Sequence, residues 1–191
     1  MKKKLFILLS IISILITSFK QDCGKERWDV KTLSDKEAKS IKWTPIRATV
    51  KSLSEIKQNY PIDDKTFDKK IRFGYEFNVY EIRCRIKEYR KEDDGDYHLV
   101  LVDLKDTNST IVGEIVNPLC TDISKNNNYL NTFISTRSDF EKIKTSHNKV
   151  KSGTYTIIGV CFFDKIHNQI GVAPNGIELH PIMDIIQDFR N

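Results

Sequence analysis

From Arg72 onward the chain alternates between apolar and charged positions. In YEFNVYEIRCRIKEY, residues 75–89, Tyr80, Ile82, Cys84 and Ile86 alternate with Glu81, Arg83, Arg85 and Lys87, the period of two of a half-buried strand. Phe77 and Val79 are out of phase with that set, which predicts a bulge near Val79. The acidic, glycine-containing run Glu92 to Asp96 predicts a turn, YHLVLVDL a second strand, Lys105 to Asn108 another turn and TIVGEIV a third strand. Pro118 closes this meander. Residues 121–150 are polar, but Phe133, Ile134, Phe140 and Ile143 are spaced so that a helix can bury one side. Ser138 is placed to cap such a helix over DFEKIKTSH. After Gly153, TYTIIGVCFFD and GIELHPIMDII read as two more strands. Three strands, a helix and two strands is the order of an OB-fold. The expected fold class is therefore mainly β with short helices, a five-stranded OB-fold-like barrel over residues 71–191.

The stretch before the barrel divides in two. Lys2, Lys3 and Lys4 followed by LFILLSIISILI and Ser18 have the charged, apolar and small-residue order of a secretory signal peptide over residues 1–18. Lys20, Gln21 and Asp22 end the apolar run too early for a membrane span, and they are not the small and aliphatic residues that lipoprotein processing at Cys23 wants. The expectation is a secreted or periplasmic protein with no transmembrane segment in its mature chain. Residues 19–70 form a lysine-rich extension in which Ser34 to Glu37 and Ser52 to Glu55 have capping-box spacing, predicting two short helices or turns. Gln58 to Lys70, with Pro61 inside it, predicts a loop or linker.

Charge changes this picture little. The full chain carries a formal +5, and loss of Lys2, Lys3 and Lys4 with the signal segment leaves +2, so the basic balance does not by itself point to nucleic acid. Four cysteines, Cys23, Cys84, Cys120 and Cys161, allow three pairings in an oxidising compartment. None has CxxC spacing, and Cys84 and Cys161 sit in strand-like runs that predict burial facing the barrel interior.

Asp96 and His98 lie two apart at the head of one strand and Glu178 and His180 two apart on another, so each pair shares a face. Brought together they would offer imidazoles and carboxylates to a divalent metal, or serve to orient strand-end loops. His167, Gln169 and Asn175 complete the ligand-binding candidates, although Asn175-Gly176 is also a strong tight-turn signal. Arg83, Arg85 and Lys87, interleaved with Tyr80 and Tyr89, give the first long strand the look of a surface for nucleic acid or another polyanion. A metal-dependent phosphodiesterase or nuclease on this barrel would draw on Asp96, Asp103, Glu114 and Arg83. No GxSxG, GxGxxG or GxxxxGK occurs, so nucleophile-elbow hydrolases and the common nucleotide-binding loops find no support.

The segments VKTLSDKEAKSI, TPIRATVKSL, DGDYHLVLVD, STIVGEIVNPLC and GVCFFDKIHNQIGVAPNGIELHPI resemble a family of small secreted bacterial proteins with no assigned activity. The resemblance spans nearly the whole mature chain, and Cys161 stands where the family usually has a small residue. It implies export and the extent of the domain, and it assigns no catalytic residue. The functional expectation is a binding or interaction module of unknown ligand, with the phosphodiesterase or nuclease as the alternative.

Overall fold

The computed structural model describes residues 23–24, 26–58, 71–120, 128–166 and 168–188. The signal segment, most of the 58–70 linker and His167 lie outside the described residues. The elements in chain order are α1 (Trp28–Lys31), β1 (Lys42–Ala48), α2 (Val50–Ser54), β2 (Asn78–Lys91), β3 (Tyr97–Asp103), β4 (Thr110–Ile115), α3 (Leu130–Ile143), β5 (Thr154–Phe163) and β6 (Ile177–Asp188). Strands β2, β3, β4, β6 and β5 follow one another around the sheet, and β2–β5 pairing closes it. Only the β4–β6 pair in this ring is parallel. This is the five-stranded OB-fold-like barrel that the alternation predicts, with α3 between its third and fourth strands. Strand β1 is an addition, parallel to the first half of β2.

The barrel interior is filled by one alternating set. Tyr80, Ile82, Cys84 and Ile86 from β2, Leu99 and Leu101 from β3, Ile111 and Ile115 from β4, Tyr155, Ile157, Cys161 and Phe163 from β5, and Ile177 and Leu179 from β6 form a single buried cluster. Cys84 and Cys161 are both free thiols inside it, on adjacent strands, and burial pushes Cys84 up to about 12 and Cys161 well above the ordinary thiol range. A thiol reagent should therefore leave the native oxidised chain unlabelled and take up two equivalents once the chain is denatured without reductant. Rapid labelling of both in the native state would show that the interior is not closed.

A second cluster covers the outside. Trp28, Leu33, Ala38 and Ile41 of the extension pack with Val79, Val116, Phe133 and Val160. Val79 is thus buried against the extension on the outer face of β2, and its phase needs no bulge: β2 pairs regularly with β5 from Val79 to Cys84. The register shift in β2 lies instead between Ile86 and Glu88. Strand β3 is buried at all seven positions; on the side that faces away from the interior the loop after β5 closes over it, with Gly171 against Val100 and the Ile170 carbonyl against His98.

Three boundaries also differ from expectation. The helix starts at Leu130, so Ser138 lies within it rather than capping it. Its buried stripe is Phe133, Thr136, Phe140 and Ile143, with Ile134 exposed. Thr136 hides the stripe from a hydrophobicity reading, since its hydroxyl donates to the Met183 carbonyl at 2.7 Å. At α2 the reciprocal cap joins Thr49 to Ser52, through Ser52 N–H to Thr49 Oγ1 at 3.0 Å and Thr49 N–H to Ser52 Oγ at 2.9 Å, so Ser52 is the third helical residue and not the cap. Ser34 caps nothing: its hydroxyl donates to the Asp29 carbonyl, and Asp35 Oδ1 accepts from Glu37 N–H at 3.0 Å. Strand β1 escapes sequence reading because Lys42–Ala48 has no buried face and so no period.

Candidate functional site

The outer side of β3, β4 and β6 carries a buried polar cluster where an ordinary barrel would meet water. Register puts it there. His98 pairs directly with Glu114 across β3 and β4, and Val112 pairs with Glu178 across β4 and β6, so Glu178 and His180 fall beside Val112 and Glu114 on one face. Asp96, two residues before His98, joins them. All five are at least nine-tenths buried. The loop after β5 closes over this face at Gly171, whose φ of +91° and approach to Val100 (a Cβ there would stand 2.9 Å from a Val100 methyl) leave no room for a side chain. That approach brings the Ile170 carbonyl to 3.0 Å from His98 Nε2.

Hydrogen bonds order the cluster. His98 Nδ1 lies 3.1 Å from Glu114 Oε1, His180 Nδ1 lies 3.2 Å from Glu178 Oε1 and 3.6 Å from Glu114 Oε2, and Asp96 Oδ1 accepts the Asn117 N–H at 2.6 Å. The extension supplies the compensating cation: Lys31 Nζ sits 3.2 Å from Asp164 Oδ2. Burial opposes the charge on Lys31, yet Asp164, Glu178 and Glu114 outweigh it and hold the ammonium on. Burial likewise works against His98 and Glu114, but their mutual hydrogen bond keeps the imidazole above and the carboxyl below its usual range. Nothing comparable rescues the others. Burial raises Asp96 to about 8, with Asp94 and Glu114 adding to the effect, and burial together with the Asp164 charge raises Glu178. Burial lowers His180, leaving it a neutral imidazole.

A cleft of about 340 Å³ leads to this cluster. Its lining includes Glu92, Asp93, Asp94, Glu114 and Asp164 against Lys31 alone among the cations. Gln169 lines the same cleft, as does Cys23, which is bonded to Cys120. The sulfur that a lipid anchor would need is therefore in a disulfide.

Four of the expected ligand-binding residues, Asp96, His98, Glu178 and His180, are thus brought together, and Gln169 stands at their approach. Asn175 is not part of the site. Its amide donates to the Leu53 and Ile56 carbonyls at 2.8 and 3.0 Å and its Oδ1 accepts the Ile177 N–H, so it fastens α2 to the turn before β6. Glu114 and Asp96 do meet, but Asp103 and Arg83, the other parts of a nuclease-like set, line a separate groove of about 630 Å³. There Asp103 accepts from the N–H groups of Lys51, Lys105 and Asp106. Arg83, Arg85 and Lys87 share an exposed face, but Arg83 Nε is 2.9 Å from Asp188 Oδ2 and Arg85 donates to the Asp103 carbonyl, so two of the three cations are already engaged within the chain. Sequence reasoning missed Lys31, whose partner Asp164 is 133 positions away.

No family model matches the chain, and no curated protein matches it. Among the described residues no helix is long and apolar enough to cross a membrane.

Proposed function

We propose that this protein is an exported binding module for a cation, taken up through the acidic cleft into the cluster of Asp96, Glu114, Glu178 and His180. The observation that carries this reading is a buried excess of carboxyl groups over cations, with Asp96 and Glu178 held toward the protonated form by burial. Asp96, Glu114, Asp164 and Glu178 face Lys31 and His98, and the cleft outside adds Glu92, Asp93 and Asp94. Buried carboxylates without matching cations are costly, so burial keeps protons on Asp96 and Glu178, and an incoming cation takes the place of those protons. The same acidic approach repels phosphates, which weighs against a nuclease or phosphodiesterase and against a polyanion partner at this site. Export is supported by the signal-like segment and by the Cys23–Cys120 disulfide, a bond that persists in oxidising compartments.

Thermal unfolding of the oxidised chain with zinc, manganese, calcium, spermidine or single-stranded DNA tests the reading. At least one cation should raise the midpoint with saturable dependence, worth about 2.7 kcal/mol at a hundredfold excess over its dissociation constant. DNA should not. Stabilisation by DNA alone, falling steeply with salt, would replace this reading with the polyanion one.

A further inference from the structure

The cluster also indicates which cation and which atoms. Two buried polar atoms of the cluster have no hydrogen-bond partner among the described residues. Asp96 accepts with Oδ1 only, and Oδ2 has no hydrogen-bond partner among the described residues. His180 Nε2 is the other such atom in the cluster. These two atoms face each other at 3.7 Å, too far for an O–H···N bond. The proton of His180 is assigned to Nδ1, because oxygens of both Glu178 and Glu114 face that nitrogen. Nε2 then turns its lone pair toward Asp96 Oδ2 at a distance where neither atom satisfies the other, in an interior where an unsatisfied polar atom is costly.

We propose that Asp96 Oδ2, His180 Nε2 and a carboxylate oxygen of Glu114 together bind one divalent first-row transition metal ion. This rests on the cation-binding reading and deepens it. One ligand atom from each of the three residues can be chosen so that all lie within 4.8 Å of one another. Atoms sharing an ion at about 2.1 Å stand roughly 3.0–3.5 Å apart; Asp96 Oδ2 and His180 Nε2, at 3.7 Å, are near that spacing, and the Glu114 carboxylate has to turn toward them to complete the set. The donors decide the class of metal. Calcium takes six to eight oxygens, whereas one imidazole with two carboxylates suits zinc, manganese or ferrous iron. Glu178 holds His180 through Nδ1 and His98 holds Glu114 through Oε1, the outer partners that such ligands require for orientation. Glu178 is thus a positioning residue, and His98, paired with Glu114, stands outside the ligand set in which the sequence alone would place it.

The oxidised chain, stripped with EDTA and dialysed separately against zinc, manganese and calcium chlorides, should retain one equivalent of zinc or manganese by elemental analysis and bind calcium at least about a hundredfold more weakly. Asp96→Asn keeps the shape and the Asn117 hydrogen bond, and it should lower affinity by about a hundredfold or more; Glu178→Gln should lower it by about 10–100-fold. Lys87→Ala should leave it unchanged. The visible d–d spectrum of the cobalt-loaded chain supplies a second readout, which Asp96→Asn should alter and Lys87→Ala should not, and circular dichroism checks that each variant folds. Calcium or spermidine uptake that survives Asp96→Asn and His180→Ala would overturn the ligand set while sparing the cation-binding reading. No uptake of any cation by the folded wild-type chain would overturn both.

Discussion

Replacing Glu76 with alanine is expected to remove about 3–5 kcal/mol of stability, the typical cost of leaving one member of a buried ion pair unpaired. Glu76 and Arg27 meet in a two-pronged contact, Nη1 to Oε1 at 2.8 Å and Nη2 to Oε2 at 2.6 Å, with side chains 0% and 1% exposed. Each carboxylate oxygen takes one further hydrogen bond. Oε1 accepts the Phe163 N–H at 3.0 Å and Oε2 the Phe73 N–H at 2.8 Å. The guanidinium in turn donates to the Ile71 carbonyl at 2.7 Å and packs over the Phe162 ring at 4.6 Å. One carboxylate therefore joins the extension, the approach to β2 and the end of β5. Alanine would strand a buried guanidinium and two backbone donors at once. Urea unfolding of Glu76→Ala, Arg27→Met and the double variant measures this: the double variant should lose less than Glu76→Ala alone, because removing both charges leaves none stranded. A loss below about 1 kcal/mol in Glu76→Ala would mean that water reaches the pair, since exposed pairs are worth no more than that.

That ion pair also shows where sequence reasoning stops. The five barrel strands announce themselves because each has an inward set at alternate positions, as in Ile82, Cys84 and Ile86 or Ile157, Cys161 and Phe163. What lies outside the barrel has no such period. The extension contributes single residues, Arg27, Trp28, Lys31 and Leu33, each of which meets a strand far along the chain. Half of the candidate site was legible for the same reason that the strands were. Asp96 with His98, and Glu178 with His180, declare a shared face by their spacing of two, but which strands lie side by side comes from barrel closure. Only the pairing of His98 with Glu114, and the nearness of β6 to β4, make Glu114 the third ligand and turn His98 toward it. The orphaned atoms of Asp96 and His180 depend on rotamers, and no pattern of residue types reports those.

Removing the Cys23–Cys120 bond should cost about 2–5 kcal/mol, more than any exposed substitution. The two cysteines are 97 positions apart with Cα atoms separated by 5.7 Å, and the loop-entropy account assigns about 4.7 kcal/mol to a closed loop near that length. Local anchors decide how the loss is distributed. Arg27 and Lys31 still bind Glu76 and Asp164, so the extension stays attached through those two side chains without the bond. Residues nearer Cys23 depend on it more: Gly24 passes so close to Trp28 that a Cβ there would lie 2.4 Å from the indole. Amide exchange in Cys23→Ser/Cys120→Ser should accordingly rise first around Trp28 and in the Asn117–Cys120 turn, with β2 and β5 exchanging only by global unfolding. Reduction of the wild-type chain should reproduce the double variant, because Cys84 and Cys161 are already free thiols buried in the barrel. If stability and exchange are unchanged after reduction, the ion pairs alone hold the extension. If β2 and β5 lose protection at the same rate as Trp28, the extension and the barrel are one cooperative unit, and the outer cluster matters to the fold as much as the inner one does.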